Sequence, residues 1–192
     1  MTQTLFQNVR IFDLAHKDGM TKPSDLRVSE GRISEIADRI EPLPEETVIA
    51  GNGNLLMPGL INGHFHSAVN HMKGRLPSLP LEIFMLYECP ELEILRPTPR
   101  EAYLRTMLGC IEMLRSGTTS VQDDCFFVPA PEPDIIDAVA QAYEDSGIRA
   151  RLALDQPELS ELEKLPFLRD ILPTQILVCT KWSFGAAAFG AV

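Results

Sequence analysis

The sequence predicts an α/β protein, with a small all-β layer followed by strands and helices that alternate along the chain. Three observations carry this. Short runs before residue 57 alternate polar and apolar residues, a fully signalled helix begins after Thr98, and a strand–helix–strand order runs from Thr118 to Asp155. Alternation with period two marks half-buried strands, and the strand–helix–strand order implies a parallel pair joined by a right-handed crossover.

In the first part, Thr4–Phe12 is rich in strand formers and runs into a polar stretch ending at Asp18-Gly19. Asp25–Ser29 and Arg32–Ile36 alternate around Glu30-Gly31, which is a hairpin signal. Val48–Ala50 and Leu55-Leu56 complete the layer. Nothing before Asn54 reads as catalytic, and His16 sits in a polar turn flanked by Lys17 and Asp18.

The segment Met57–Ser67 reads Met-Pro-Gly-Leu-Ile-Asn-Gly-His-Phe-His-Ser. Pro58-Gly59 turns the chain, and a short apolar run then leads into His64 and His66. In a strand, side chains one residue apart project to the same side, so both imidazoles face one way and Phe65 the other. Two such rings can share a metal ion, although His-x-His by itself is common enough to be a structural accident.

Ala68–Pro99 is a long connection with five prolines (Pro77, Pro80, Pro90, Pro97, Pro99) and an apolar stretch over Leu81–Tyr87. Long connections in compact domains tend to be functional or disordered, and the apolar stretch favours an ordered one. His71, Lys73, Arg75, Phe84 and Tyr87 are candidates for contact with a ligand. Thr98 and Glu101 then form a capping box with Pro99 at the first helical position. Leu104, Met107, Leu108, Ile111 and Leu114 recur at spacings of three and four, a stripe expected to be core, and Gly117 supplies the stop.

Thr118–Gln122 reads as a strand with Asp123-Asp124-Cys125 at its mouth, where an acidic pair can touch substrate, orient a histidine or merely cap a turn. Pro133-Asp134 opens a helix carrying Ile135, Ile136, Val139, Ala142 and Tyr143 and closed by Gly147. Arg149–Asp155 is a third strand, which places Asp155 and Gln156 at the same mouth as His66. Leu159–Leu172 carries a helical pattern broken by Pro166, and Gln175–Thr180 is a candidate fourth strand.

Composition narrows the function classes. A net charge of −10 leaves no basic stripe for nucleic acid or for an anionic membrane surface. No stretch is long and apolar enough to span a bilayer, and Met1–Arg10 lacks the pattern of a signal peptide, so a cytoplasmic location is the default. The four cysteines, Cys89, Cys110, Cys125 and Cys179, show no CxxC pairing and read as small buried apolar residues.

Gly53–His66 closely resembles the first barrel strand of the amidohydrolase superfamily, with flanks most like its cytosine deaminase and triazine chlorohydrolase branch. Leu114–Val121, with its Gly-Thr-Thr step, resembles the second, and the resemblance extends over about residues 4–172. It implies a partial (β/α)8 TIM-type barrel of three or four βα units preceded by a small N-terminal β-sandwich layer, since a closed barrel takes roughly 250 residues. Residues 1–56 would form an incomplete β-sandwich subdomain and residues 57–192 the N-terminal part of the barrel.

The same resemblance implies a metal-dependent hydrolase of non-peptide C–N or C–Cl bonds, a deaminase or a chlorohydrolase. His64 and His66 would be ligands to a divalent metal, zinc or alternatively iron, and His71, Tyr87, Asp123 and Gln156 would contact a small-molecule substrate such as a nitrogen heterocycle. The family's further ligands come from later strands, so the chain is expected to be an N-terminal portion, inactive alone, that forms a homo-oligomer or associates with the missing barrel half. The alternative is a non-catalytic partial barrel serving as a binding or assembly module.

Overall fold

A computed structural model describes residues 3–75, 78–81, 84, 96–127, 132–155 and 170. The chain divides into two compact units, Met1–Gly59 and Leu60–Val192.

The first unit is one five-stranded mixed sheet built around β1 (Gln3–Ile11). β2 (Ser24–Ser29) pairs antiparallel with β1, and β3 (Arg32–Ala37) pairs antiparallel with β2. The short β4 (Thr47–Ala50) and β5 (Leu55–Leu56) run parallel to β1, one beside its start and the other beside its end. The expected hairpin is present: Glu30 and Gly31 adopt φ values of 52° and 72°, the pair of left-handed residues that a tight two-residue turn requires. A sandwich was expected here. The described residues instead form a single sheet, because the four- and two-residue runs β4 and β5 both add to β1 rather than pairing with each other.

Leu5, Val9, Leu26 and Ile40 are the buried apolar side chains of this unit. Asp25 fastens it from within, its carboxylate accepting the Asn8 N–H at 2.8 Å and the Ile40 N–H at 2.9 Å. Both backbone groups would otherwise be unsatisfied, since Asn8 sits at φ 54° in the irregular step of β1 and Ile40 lies outside the strands. Arg27 links Glu35 and Glu46. Hydrogen bonding to Arg27 holds the Glu46 carboxyl below its ordinary range.

In the second unit, β6 (Leu60–Phe65), β7 (Thr118–Phe126) and β8 (Arg149–Asp155) form a parallel sheet in that order. A 3-10 turn (Ser67–Met72) follows β6, α1 (Pro99–Arg115) precedes β7, and α2 (Pro133–Ser146) connects β7 to β8. The strand–helix–strand order read from the sequence is therefore realised, and β8 has the predicted bounds. The helix pattern of Leu159–Leu172, apart from Asp170, and the candidate strand Gln175–Thr180 lie outside the described residues.

The predicted helix signals hold. Thr98 accepts from the Glu101 N–H while Glu101 accepts from the Thr98 N–H, with Pro99 at the first position. Gly147 ends α2 in the left-handed conformation, φ 73°. Ile135, Val139, Ala142 and Tyr143 are buried as expected.

The face of α1 is a correction. Leu104, Leu108, Ile111 and Leu114 are exposed, with Leu108 at 52%, whereas Ala102, Thr106, Gly109, Cys110 and Met113 are buried. The helix turns its small-residue face inward because it must lie close to other elements. A Cβ on Gly109 would stand 2.3 Å from Phe65 Cζ, so any side chain here would force α1 or the Phe65 ring to shift. Large side chains along that face would hold the helix off the sheet, and of the stripe that hydrophobicity named only Met107 packs against the core.

The core of this unit joins Cys110 and Met113 of α1, Val121 and Cys125 of β7, Ile135, Val139 and Tyr143 of α2, and Ile148, with Phe65 and Leu152 packed against it. All of it lies on the helical side of the sheet.

Candidate metal centre

His64 and His66 stand at the carboxyl end of β6, with Phe65 turned to the helical core between them. Their Nε2 atoms are 3.0 Å apart and the rings meet edge to face, with centroids 5.0 Å apart and an interplanar angle of 79°. The period-two argument thus places the rings correctly. It does not account for Asn62, which strict alternation would put on the imidazole side and which instead touches Met113 in the core.

The reason is a bulge. Asn62 is level with Val121 and Phe65 with Asp123, so β6 takes three steps where β7 takes two. The extra residue lets Asn62 and Phe65 both face the helices while His64 and His66 face the opposite side. Asn62 Oδ1 accepts the His64 N–H at 3.1 Å, and its amide nitrogen donates to Met113 Sδ at 3.6 Å.

The carboxyl end of β7 serves His66 twice. The Asp124 carbonyl oxygen lies 3.2 Å from His66 Nδ1, and the Asp124 carboxylate lies 3.7 Å from the same nitrogen. A carbonyl can only accept, so this contact places the proton on Nδ1 and the lone pair on Nε2, the nitrogen that faces His64. Asp123 points the other way. Its carboxylate is fully buried and accepts the Ser67 N–H at 2.9 Å, the Tyr143 hydroxyl at 2.8 Å and the Cys125 thiol at 3.4 Å.

Asp123 was expected to contact substrate, and this placement corrects that expectation. It stands level with Phe65 on the helical side, because β7 continues through the acidic pair to Phe126 instead of ending before it. Asp124 is the member of the pair that reaches the histidines. Asp123 acts on the backbone immediately after His66. Burial and the nearby Asp123 carboxylate push the Tyr143 hydroxyl and the Cys125 thiol far above their ordinary pKa values, so both remain protonated donors.

His71 lies in the last turn of the 3-10 segment, and its charged neighbours are Arg105 and Glu101 of α1 together with Arg75. Burial, then Arg105, lowers its pKa below the ordinary 6.5. Lys73 pairs with Glu112 of α1, Arg75 is exposed, and Phe84 is half-buried. Tyr87 and Gln156 lie outside the described residues. Asn62, Ser67 and Tyr143 were not recognised as supporting the histidines. The sequence signal for Asn62 is an Asx residue two before a histidine, which can accept that residue's N–H; Ser67 contributes only its backbone, and Tyr143 reads as ordinary core.

Two nitrogen lone pairs 3.0 Å apart repel unless a proton or a cation lies between them. At a zinc–nitrogen distance of about 2.0–2.1 Å the observed separation subtends roughly 91–97° at a shared ion, so the pair fits two adjacent positions of a metal's coordination shell. A catalytic zinc takes three protein ligands. Among the described residues no group of three or more His, Cys, Asp or Glu side chains is placed to hold an ion.

Residues 55–173 match the model of the amidohydrolase family. The chain is 33% identical over 147 residues to a 5'-deoxyadenosine deaminase of Methanothermobacter thermautotrophicus, covering 77% of this chain and 32% of that protein. It is 35% identical over 151 residues to a 5-methylthioadenosine/S-adenosylhomocysteine deaminase of Carboxydothermus hydrogenoformans, covering 78% and 32%. It therefore spans about a third of the length of the curated relatives it matches. Among solved structures, the atrazine chlorohydrolase of Arthrobacter aurescens complexed with zinc superposes with a TM-score of 0.67 at 22% identity, covering 78% of this chain and 35% of that one. An adenosine deaminase of Xanthomonas campestris with bound zinc gives 0.62 at 26% identity, covering 78% and 33%. The family model matches more than half of the chain and the fold agrees: this chain belongs to the amidohydrolase family.

Proposed function

We propose that this chain carries part of the site of a zinc-dependent hydrolase that removes ammonia from a cyclic amidine, with the adenine ring of a nucleoside as the substrate class. One observation carries the metal part of this reading, the convergence of His64 Nε2 and His66 Nε2 at 3.0 Å on the open side of the sheet. The substrate class rests on the deaminases named above, which are 33–35% identical to this chain. Removal of chloride from a triazine ring is the second chemistry that the fold accommodates, and its support is the shared architecture alone.

Zinc, when bound, lowers the pKa of a coordinated water from about 15.7 to near 7. The residues of this chain prepare for that. His66 presents Nε2 because its Nδ1–H donates to the Asp124 carbonyl, and His64 completes the pair from inside the strand. The Asp123–Tyr143 network holds the backbone after His66 in place. His71, Tyr87 and Gln156 are proposed to face substrate, and the remaining ligands and the proton carrier to come from outside the described residues or from a second chain.

We take residues 1–56 as the sheet subdomain and 57–192 as barrel, in association with a further copy or with a chain that completes the barrel. A cytoplasmic setting suits the free buried thiols of Cys110 and Cys125. No helix among the described residues is long and apolar enough to cross a membrane. The second reading, a non-catalytic binding or assembly module, draws on the partial ligand set and on the exposed apolar face of α1.

Zinc titration of the chain, followed by an ammonia-release assay with adenosine and 5'-deoxyadenosine, separates the readings. Zinc bound in proportion to protein together with ammonia release supports the hydrolase. Zinc binding without turnover by the chain alone is the outcome expected of a partial site, and it supports the module only if turnover is still missing in the oligomer or complex that completes the barrel; absence of zinc binding removes the metal reading altogether.

A further inference from the structure

We propose that Asn62 is a positioning residue that aims the His64 imidazole at His66 by capping the bulge ahead of the pair; the proposal rests on the reading of that pair as a metal grip. A bulge takes one residue out of the strand ladder and leaves its backbone N–H seeking a partner. Here the orphaned donor is offered to Asn62, whose Oδ1 accepts the His64 N–H at 3.1 Å. The N–H can only donate, so the amide oxygen must be the atom facing it. The amide nitrogen is thereby directed at Met113 Sδ, 3.6 Å away on α1, a weak contact that nonetheless has the right polarity.

One half-buried side chain thus joins the helical core to the backbone of the first histidine. Removing the acceptor frees the peptide ahead of His64 to rotate. Rotation of that peptide swings the ring while leaving His66 held by Asp123 and Asp124. The two histidines are therefore fixed by independent devices: His66 through β7, and His64 through Asn62 and α1.

The test compares Asn62→Leu, which removes the acceptor at near-constant size, with Asn62→Asp, which keeps it. Metal-free full-length chain is read by NMR for the exchange rate of the His64 amide and for the proton contact between the two rings, and zinc affinity is measured separately. Expected for Asn62→Leu are a His64 amide that exchanges at least about tenfold faster, loss of the ring contact, and zinc affinity lowered about 10–100-fold, the usual effect of losing an outer-shell partner. Asn62→Asp should retain the slow amide and the ring contact.

Unchanged exchange and ring contact in Asn62→Leu would overturn the proposal, as would their loss in Asn62→Asp. If Asn62→Leu does not fold, Asn62→Ala carries the same expectations. If the wild-type chain binds no zinc while Asn62→Leu still loses the ring contact, the positioning role stands and the metal reading fails.

Discussion

His64 Nε2 and His66 Nε2 face each other across 3.0 Å, and the Asp124 carbonyl on the neighbouring strand fixes which nitrogen of His66 carries its lone pair. The pair is prepared from two directions, through β7 for one ring and through α1 for the other. The first prediction concerns the two proposed ligands. His64→Ala and His66→Ala should each weaken zinc or cobalt binding by more than ~100-fold, beyond the range seen for outer-shell partners. A titration in which either variant binds as the wild type does would exclude that ring as a ligand.

The buried carboxylate of Asp123 gives a second prediction. Tyr143→Phe deletes one of its three donors, which should cost about 1–3 kcal/mol, because a buried acceptor then goes partly unpaired. Chemical denaturation measures the loss. Asp123→Asn should cost more, since it alters the contacts to Ser67, Tyr143 and Cys125 together.

Packing supplies a third. In Gly109→Ala the added methyl would stand 2.3 Å from Phe65 Cζ and 3.1 Å from Asn70 Nδ2, so either α1 or the Phe65 ring must shift. Overpacking of this kind costs about 1–3 kcal/mol. Because Phe65 lies between the two histidines proposed to hold the metal, zinc affinity should fall as well, and a variant with wild-type stability and affinity would show that the helix yields freely.

The exposed stripe of α1 provides the contrast. Leu108→Ala should change stability by less than about 1 kcal/mol, against the 2–5 kcal/mol of a buried leucine. A denaturation midpoint shifted by the larger amount would mean that this face is covered in solution.

The fifth prediction is a pH dependence from His71. Burial, then Arg105, lowers its folded pKa below the ordinary 6.5, so the native state favours the neutral ring while the unfolded chain takes up a proton more readily. The stability contributed by the neutral ring is fully present above the unfolded value. It is lost as pH falls from there toward the folded pKa. His71→Gln should flatten that part of the stability profile, and an unchanged slope between the two variants would remove His71 as its cause.

Much of the fold was legible because local rules act over a few residues. The capping box of Thr98 and Glu101, the Glu30-Gly31 turn, Gly147 and the bounds of β8 follow from neighbours in the chain. The inward face of α1 was not, because glycine and cysteine earn their place there by allowing close approach to Phe65, a residue more than forty positions away. The sandwich expectation failed similarly. Whether β4 and β5 form their own sheet or extend another depends on which edge of β1 is open to them.

The sequence by itself determined that two imidazoles one residue apart on a strand project to a common side, since the side-chain period of a strand is a property of the backbone. It could not determine which acidic residue would serve them. That was decided by how far β7 extends and by the one-residue bulge in β6, which together set the register between strands that are distant in sequence. Only the pairing of the two strands sends the Asp123 side chain into the core and leaves Asp124 beside His66, because register is a relation between chain segments and no single segment encodes it.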